Sequence, residues 1–167
     1  MPRNVTFHYK SHHTYTKQNG YIFPAPALPR ASRLYVIYNS GKDRHPYYIG
    51  TAQDVQHRFD TRSKAIRDLG IKNDELARIQ IAVVQILVNG RATTPGKTGV
   101  AGGIDVEHLL IRIYSQIGNF GLRNMSKTGI FSNVAFRRLD YYFTWDAGLD
   151  FSGFYANDGH IGGAKHL

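Results

Sequence analysis

A chain of 167 residues, 42% of them hydrophobic and a fifth charged, has the length of one ordinary domain and enough apolar material for a core, which excludes wholesale disorder. Lys and Arg number 21 against 12 Asp and Glu, giving a formal charge of +9 and a pI near 9.9; such a surface attracts polyanions, nucleic acid being the commonest. Cysteine is absent, so disulfide frameworks, zinc–thiolate centres and thiol nucleophiles are excluded.

The charge is uneven. Residues 1–42 carry six basic residues (Arg3, Lys10, Lys17, Arg30, Arg33, Lys42) and no acidic one, a pattern that fits an arm tracking phosphates and equally a solubilising tail. The segment Met1–His8 holds no continuous apolar core region, so no secretory signal is expected, and no 18-residue apolar run could span a membrane. A cytoplasmic protein without a membrane partner is the expectation.

In chain order, residues 1–30 read as a basic, aromatic-dotted arm that ends in Phe23-Pro24-Ala25-Pro26-Ala27-Leu28-Pro29, where alternating prolines favour extended chain. Leu34 to Asn39 and Tyr47 to Thr51 are β-branched and aromatic and flank the turn-rich stretch Ser40 to Pro46, which predicts a hairpin. Asp54 is an N-cap for a helix to about Leu69, stopped by Gly70, with Val55, Phe59, Ile66 and Leu69 as its apolar stripe. Leu76 to Val88 is the strongest strand signal and, apolar on both faces, the expected central strand.

Asn89 to Gly103 reads as a loop. Asp105 then caps a helix to about Ile117, with Val106, Leu110, Ile113 and Ile117 at helical spacing. Within Phe131 to Trp145 a Tyr-Tyr-Phe-Thr-Trp cluster alternates like a further strand, and the glycine-rich end, Gly153 to Leu167, is expected to be poorly ordered. The fold class expected is α/β (α+β): a small, mainly antiparallel three-stranded sheet flanked by helices. A basic arm (1–30) precedes the core (31–125), and a C-terminal extension (126–167) packs on the same domain.

Four residues stand out by their intervals. Tyr35 lies in Arg33-Leu34-Tyr35, Tyr48 in Tyr48-Ile49-Gly50, Arg58 ten residues later, and Glu107 in the first turn of the second helix, followed by Asn124. This arrangement resembles the GIY-YIG nuclease family over roughly residues 33–125. The resemblance implies a catalytic set of Tyr35, Tyr48, Arg58, Glu107 and Asn124, with Glu107 as ligand of Mg²⁺ (or Mn²⁺), Tyr35 as the base and Tyr48 positioning water or phosphate.

The residue types suit phosphodiester hydrolysis. A carboxylate in a first helical turn stays charged and is a hard oxygen ligand. A guanidinium is permanently cationic and binds phosphate through two N–H groups. A phenol, titrating ordinarily near ~10, needs a neighbouring cation to act as a base.

Two positions depart from the family pattern: Arg33 stands where the first motif has glycine, and Arg62 where many relatives carry histidine, leaving Tyr38, Tyr47, His57 or Lys64 as substitutes in proton transfer. Arg33, Arg62 and Lys64 beside the core, with Lys10 and Lys17 on the arm, are the expected nucleic-acid contacts.

The stretch Gly90 to Thr98 imitates a P-loop but has five residues between its glycines where that motif needs four, so no nucleotide cofactor is expected. The histidines form no pair at metal spacing.

The expected function is a metal-dependent endonuclease acting on DNA, of a compact, site-specific restriction type. The alternatives are a single-strand DNA or RNA nuclease of the same fold and a non-catalytic nucleic-acid-binding module. One such site cuts one strand, so double-strand cleavage calls for a homodimer. Tyr141, Tyr142, Phe143 and Trp145 could supply its interface or pack beneath the C-terminal tail.

Overall fold

The computed structural model describes residues 3–18, 21–25, 33–39, 46–60, 79–96, 99–117, 139–146 and 160–163. The strands are β1 (Arg3–Gln18), β2 (Tyr21–Ala25), β3 (Arg33–Asn39), β4 (Pro46–Ala52), β5 (Ile79–Val88), β6 (Arg91–Thr93), β7 (Val100–Ala101), β8 (Ile104–Asp105), β9 (Leu139–Trp145) and β10 (His160–Gly163). The helices among the described residues are α1 (Val55–Asp60) and α2 (Val106–Ile117).

One eight-stranded sheet runs β10-β9-β1-β5-β3-β4, with β2 added to β1 and β6 to β5; β7 and β8 form a separate hairpin. All pairs are antiparallel except β1 with β9, which is parallel from Arg3 opposite Leu139 to Tyr9 opposite Trp145.

This architecture corrects the expected three-stranded sheet flanked by helices. The hairpin β3–β4 and the strand β5 are neighbours, but they make up only one side of a larger, mostly β structure. The segment expected to be an arm is β1, which pairs with β5 along one edge and β9 along the other. Its apolar residues Val5, Phe7 and Tyr9 are fully buried, whereas Thr6 and His8 between them are half-buried and Lys10 is exposed. Strict alternation of this kind looks like a solvated extended arm until a partner covers its apolar side.

The C-terminal extension is drawn into the sheet as well, through β9 and through His160–Gly163, which pair with it. The expected loop 89–103 contains two tight hairpins, β5–β6 and β7–β8, the second turning on Gly102 and Gly103 at φ of 56° and 76°. Both φ values lie in the left-handed region that glycine adopts without strain.

Strand register divides the core into two. On one face α2 lays Val106, Leu109, Leu110, Ile113 and Tyr114 over Val5, Phe7, Tyr9, Leu34, Val36, Ile49, Val84, Ile86 and Phe143. The spacing of those α2 residues is the three-and-four alternation of an amphipathic helix. Phe7 stacks on Phe143 with centroids 5.5 Å apart, and the hydroxyls of Tyr9 and Tyr114 bond to each other inside this core. On the other face Tyr35, Ile37, Ile79, Ile81 and Val83 pack with Val55 of α1. Tyr141 and Phe143 of β9 are buried and belong to the core under α2. No helix among the described residues is long and apolar enough to cross a membrane.

Because β1 lies between β5 and β9, deleting residues 1–25 is expected to abolish cooperative unfolding in urea altogether, an outcome that circular dichroism would register. Phe7→Ala in the intact chain is expected to cost about 3–5 kcal/mol, as for other fully buried aromatics truncated to alanine. A truncated chain that unfolds with an unchanged midpoint would contradict the central position of β1.

Candidate functional site

The site is built on the β3–β4 pairing. Tyr35 lies opposite Gly50 and Ile37 opposite Tyr48, so the two tyrosines share a sheet face on a diagonal, with ring centroids 6.3 Å apart and planes tilted by 30°. Between Ile37 and Tyr38 the register shifts; Tyr48 pairs with Ile37 and Pro46 with Tyr38, leaving Tyr47 as the extra residue of a bulge. Tyr35 is buried and Tyr48 half-buried.

Gly50 is required here for space. A Cβ at this position would lie 2.7 Å from the Tyr35 hydroxyl, 2.8 Å from its Cζ and 2.8 Å from Cε1 of Tyr48. Both rings therefore close over the bare Cα of Gly50.

The next residue, Thr51, faces the other way. It pairs with Leu34, which belongs to the core under α2, and its Oγ1 donates a 2.6 Å hydrogen bond to Oε2 of Glu107. The carboxylate is held there by the start of α2. Asp105 caps the helix, its Oδ1 accepting from the His108 amide at 3.0 Å, and the Gly99 carbonyl accepts from the amides of Val106 (3.0 Å) and Glu107 (3.4 Å). Glu107 thus occupies the first turn, as the sequence predicts, and is half-buried.

The tyrosine pair and Glu107 consequently converge on residues 48–51 of β4 from its two faces. β4 ends the strand order of the sheet, so the place common to both faces is the edge of that strand. In place of the one shared cleft expected from the sequence, the tyrosines lie on one face of β4 and the carboxylate on the other.

Of the other expected site residues, Arg58 falls on α1, where Asp54 caps the helix by accepting from the His57 amide at 2.8 Å. The side chain of Arg58 lies outside the described residues, as do the side chain of Lys17 and the whole of Arg62, Lys64 and Asn124. Arg33 opens β3 opposite Ala52 and is half-buried, and Lys10 is exposed beside the irregularity of β1 between Tyr9 and Ser11. Among the described residues no three His, Cys, Asp or Glu side chains gather as a metal cage.

Sequence reasoning missed Thr51, although alternation along Tyr48-Ile49-Gly50-Thr51 could have placed it on the face turned away from the tyrosines. It also missed a polar trio on β1 and β9, where the two ring nitrogens of His8 bridge Thr144 Oγ1 at 2.6 Å and Asp146 Oδ1 at 2.8 Å. Those residues pair across a parallel ladder that no local pattern announces.

The chain matches no family model, no curated protein and no solved structure.

Gly50→Ala is expected to force the two rings apart and to destabilise the fold by about 1–3 kcal/mol, the range for overpacking at a closed position. Urea unfolding measures the cost, and near-ultraviolet circular dichroism follows the tyrosine environment. Wild-type stability and spectrum in this variant would mean that the rings do not close over residue 50.

Proposed function

We propose that this chain is a divalent-metal-dependent endonuclease that hydrolyses DNA phosphodiester bonds, of compact restriction type. The observation that carries the reading is the 2.6 Å bond between Thr51 and Glu107, which brings a carboxylate to the residue adjoining Gly50, around which Tyr35 and Tyr48 close. Glu107 and the tyrosine pair, which the GIY-YIG resemblance names together, thus border the adjacent positions 51 and 50 of β4 from its two faces. The basic surface, with a net charge of +9, supports a polyanionic substrate.

The donor set fits Mg²⁺ or Mn²⁺. Such an ion takes one or two carboxylates and fills its remaining positions with water and substrate phosphate, so Glu107 alone would hold it. When bound, the ion would neutralise developing charge on the phosphoryl oxygens and acidify a water. Thr51 orients the carboxylate by donating to Oε2. Tyr35, in its phenolate form, would accept the proton of the attacking water, and the resemblance assigns Arg58 the positive charge that such a base requires. Tyr48, partly exposed beside it, orients the water or the phosphate. The water oxygen bonds to phosphorus as the bond to the 3′ oxygen breaks, a solvent water donates a proton to the leaving 3′ oxygen, and a 5′ phosphate remains.

Supercoiled plasmid, single-stranded circles and RNA, each incubated with Mg²⁺ and with EDTA, test this reading. Cleavage of plasmid is expected in Mg²⁺ and none in EDTA; cleavage confined to the circles or to RNA would reassign the substrate. Glu107→Gln should lower the rate by at least ~10²-fold, the scale for losing a preorganised electrostatic group, while DNA binding survives. Tyr35→Phe should cost more than about tenfold, equivalent to ~1.4 kcal/mol in the barrier. Plasmid cleavage by Glu107→Gln at the wild-type rate would end the proposal.

A further inference from the structure

The carboxylate at the proposed site depends on a hairpin whose far end is tied to the first residue of β1. β7 and β8 pair through Val100 with Asp105 and Ala101 with Ile104, and the turn between them is Gly102-Gly103. At its base the hairpin becomes the mount of α2: Gly99 accepts the amides of Val106 and Glu107, and Asp105 caps His108. At its tip the guanidinium of Arg3 donates to the Gly102 carbonyl. A Cβ on Gly103 would lie 4.0 Å from that guanidinium, and one on Gly102 would lie 3.2 Å from Cγ2 of Val88.

The tip is therefore seated between the buried side chain of Val88 and the guanidinium of Arg3. The backbone of β1 beside Arg3 is itself pinned, since the Asn4 amide donates to Asn89 Oδ1 at 2.9 Å and the Asn89 amide donates to the Asn4 carbonyl at 2.8 Å.

We propose that Arg3 is a positioning residue for Glu107, acting by clamping the tip of the hairpin that carries the first turn of α2. Only a few residues of backbone separate the clamped carbonyl from the carboxylate, and the bonds of Gly99 and Asp105 transmit its position. Arg suits the task because several N–H donors in a planar fork hold a carbonyl in a defined direction. The proposal rests on the nuclease reading for its consequence, whereas the clamp itself is a property of the fold.

The test uses the full-length chain with Arg3→Gln and Arg3→Lys. Amide hydrogen exchange at Ile104–His108 is expected to quicken by about tenfold in Arg3→Gln, as for a locally opened segment. Exchange within β5 should stay unchanged, and Arg3→Lys should recover part of the protection. With plasmid as substrate, kcat should fall by at least about tenfold, since small misplacements of a catalytic group are costly. KM and its salt dependence should hold.

Unchanged exchange at Ile104–His108 would overturn the clamp. So would acceleration shared by β5, which would place the effect in the whole fold. A raised KM with intact kcat and a salt slope shallower by about 0.9 would make Arg3 a phosphate contact instead. If the wild-type chain cuts no nucleic acid, the nuclease reading alone fails, and exchange still decides whether Arg3 holds the first turn.

Discussion

β5 sets the terms for everything around it. Its sequence, Ile79-Gln80-Ile81-Ala82-Val83-Val84-Gln85-Ile86-Leu87-Val88, is apolar on both sides, so both faces need cover and both edges need hydrogen-bond partners. β1 and β3 take the edges, the first from Val5 to Thr14 and the second from Leu34 to Asn39. α2 covers one face through Leu109, Leu110, Ile113 and Tyr114, and Val55 of α1 packs with the other. Once β1 is in place it offers its own free edge to β9, and β9 in turn to β10, so the sheet grows outward in both directions from one strand.

Register on β5 then decides which chemistry each face receives. Leu34 opposite Val84 and Tyr35 opposite Val83 commit the even-numbered residues of β3 to the α2 side and the odd-numbered ones to the α1 side. β4 inherits that division, so Tyr48 and Gly50 join Tyr35 while Thr51 turns toward Glu107. A slip of one residue would exchange the two sets entirely. The bulge at Tyr47 lies just beyond the paired stretch that contains Ile37, Tyr48, Tyr35 and Gly50, and it is what lets Tyr48 keep its place although Pro46 has already paired with Tyr38.

The basic first quarter of the chain has to serve both folding and charge. β1 buries Val5, Phe7 and Tyr9 while Arg3 and Lys10 remain exposed, so these positive charges are carried by a folded sheet and not by a tether. The same strand seats His8 between Thr144 and Asp146, and the Asp146 amide donates to the Tyr9 carbonyl at 3.0 Å, which fastens the end of β9. Charge and stability thus reside in one segment, and a change there acts on both.

What the sequence by itself determined is the local part. β-branched and aromatic runs mark β3, β4 and β5; Asp54 and Asp105 mark two helix starts, each of which accepts the amide three residues on; and the second cap puts Glu107 in a first turn. These signals are readable because alternation, capping and helical spacing act between residues a few positions apart. Only the tertiary structure decided that the polar, alternating segment after Arg3 is an interior strand, that it runs parallel to Leu139–Trp145, that Thr51 holds Glu107, and that Arg3 reaches Gly102. Each of these joins residues 50 or more positions apart, and a half-polar strand reads the same whether water or a neighbouring strand lies beside it. The partner, brought there by the burial of β5, is what distinguishes the two.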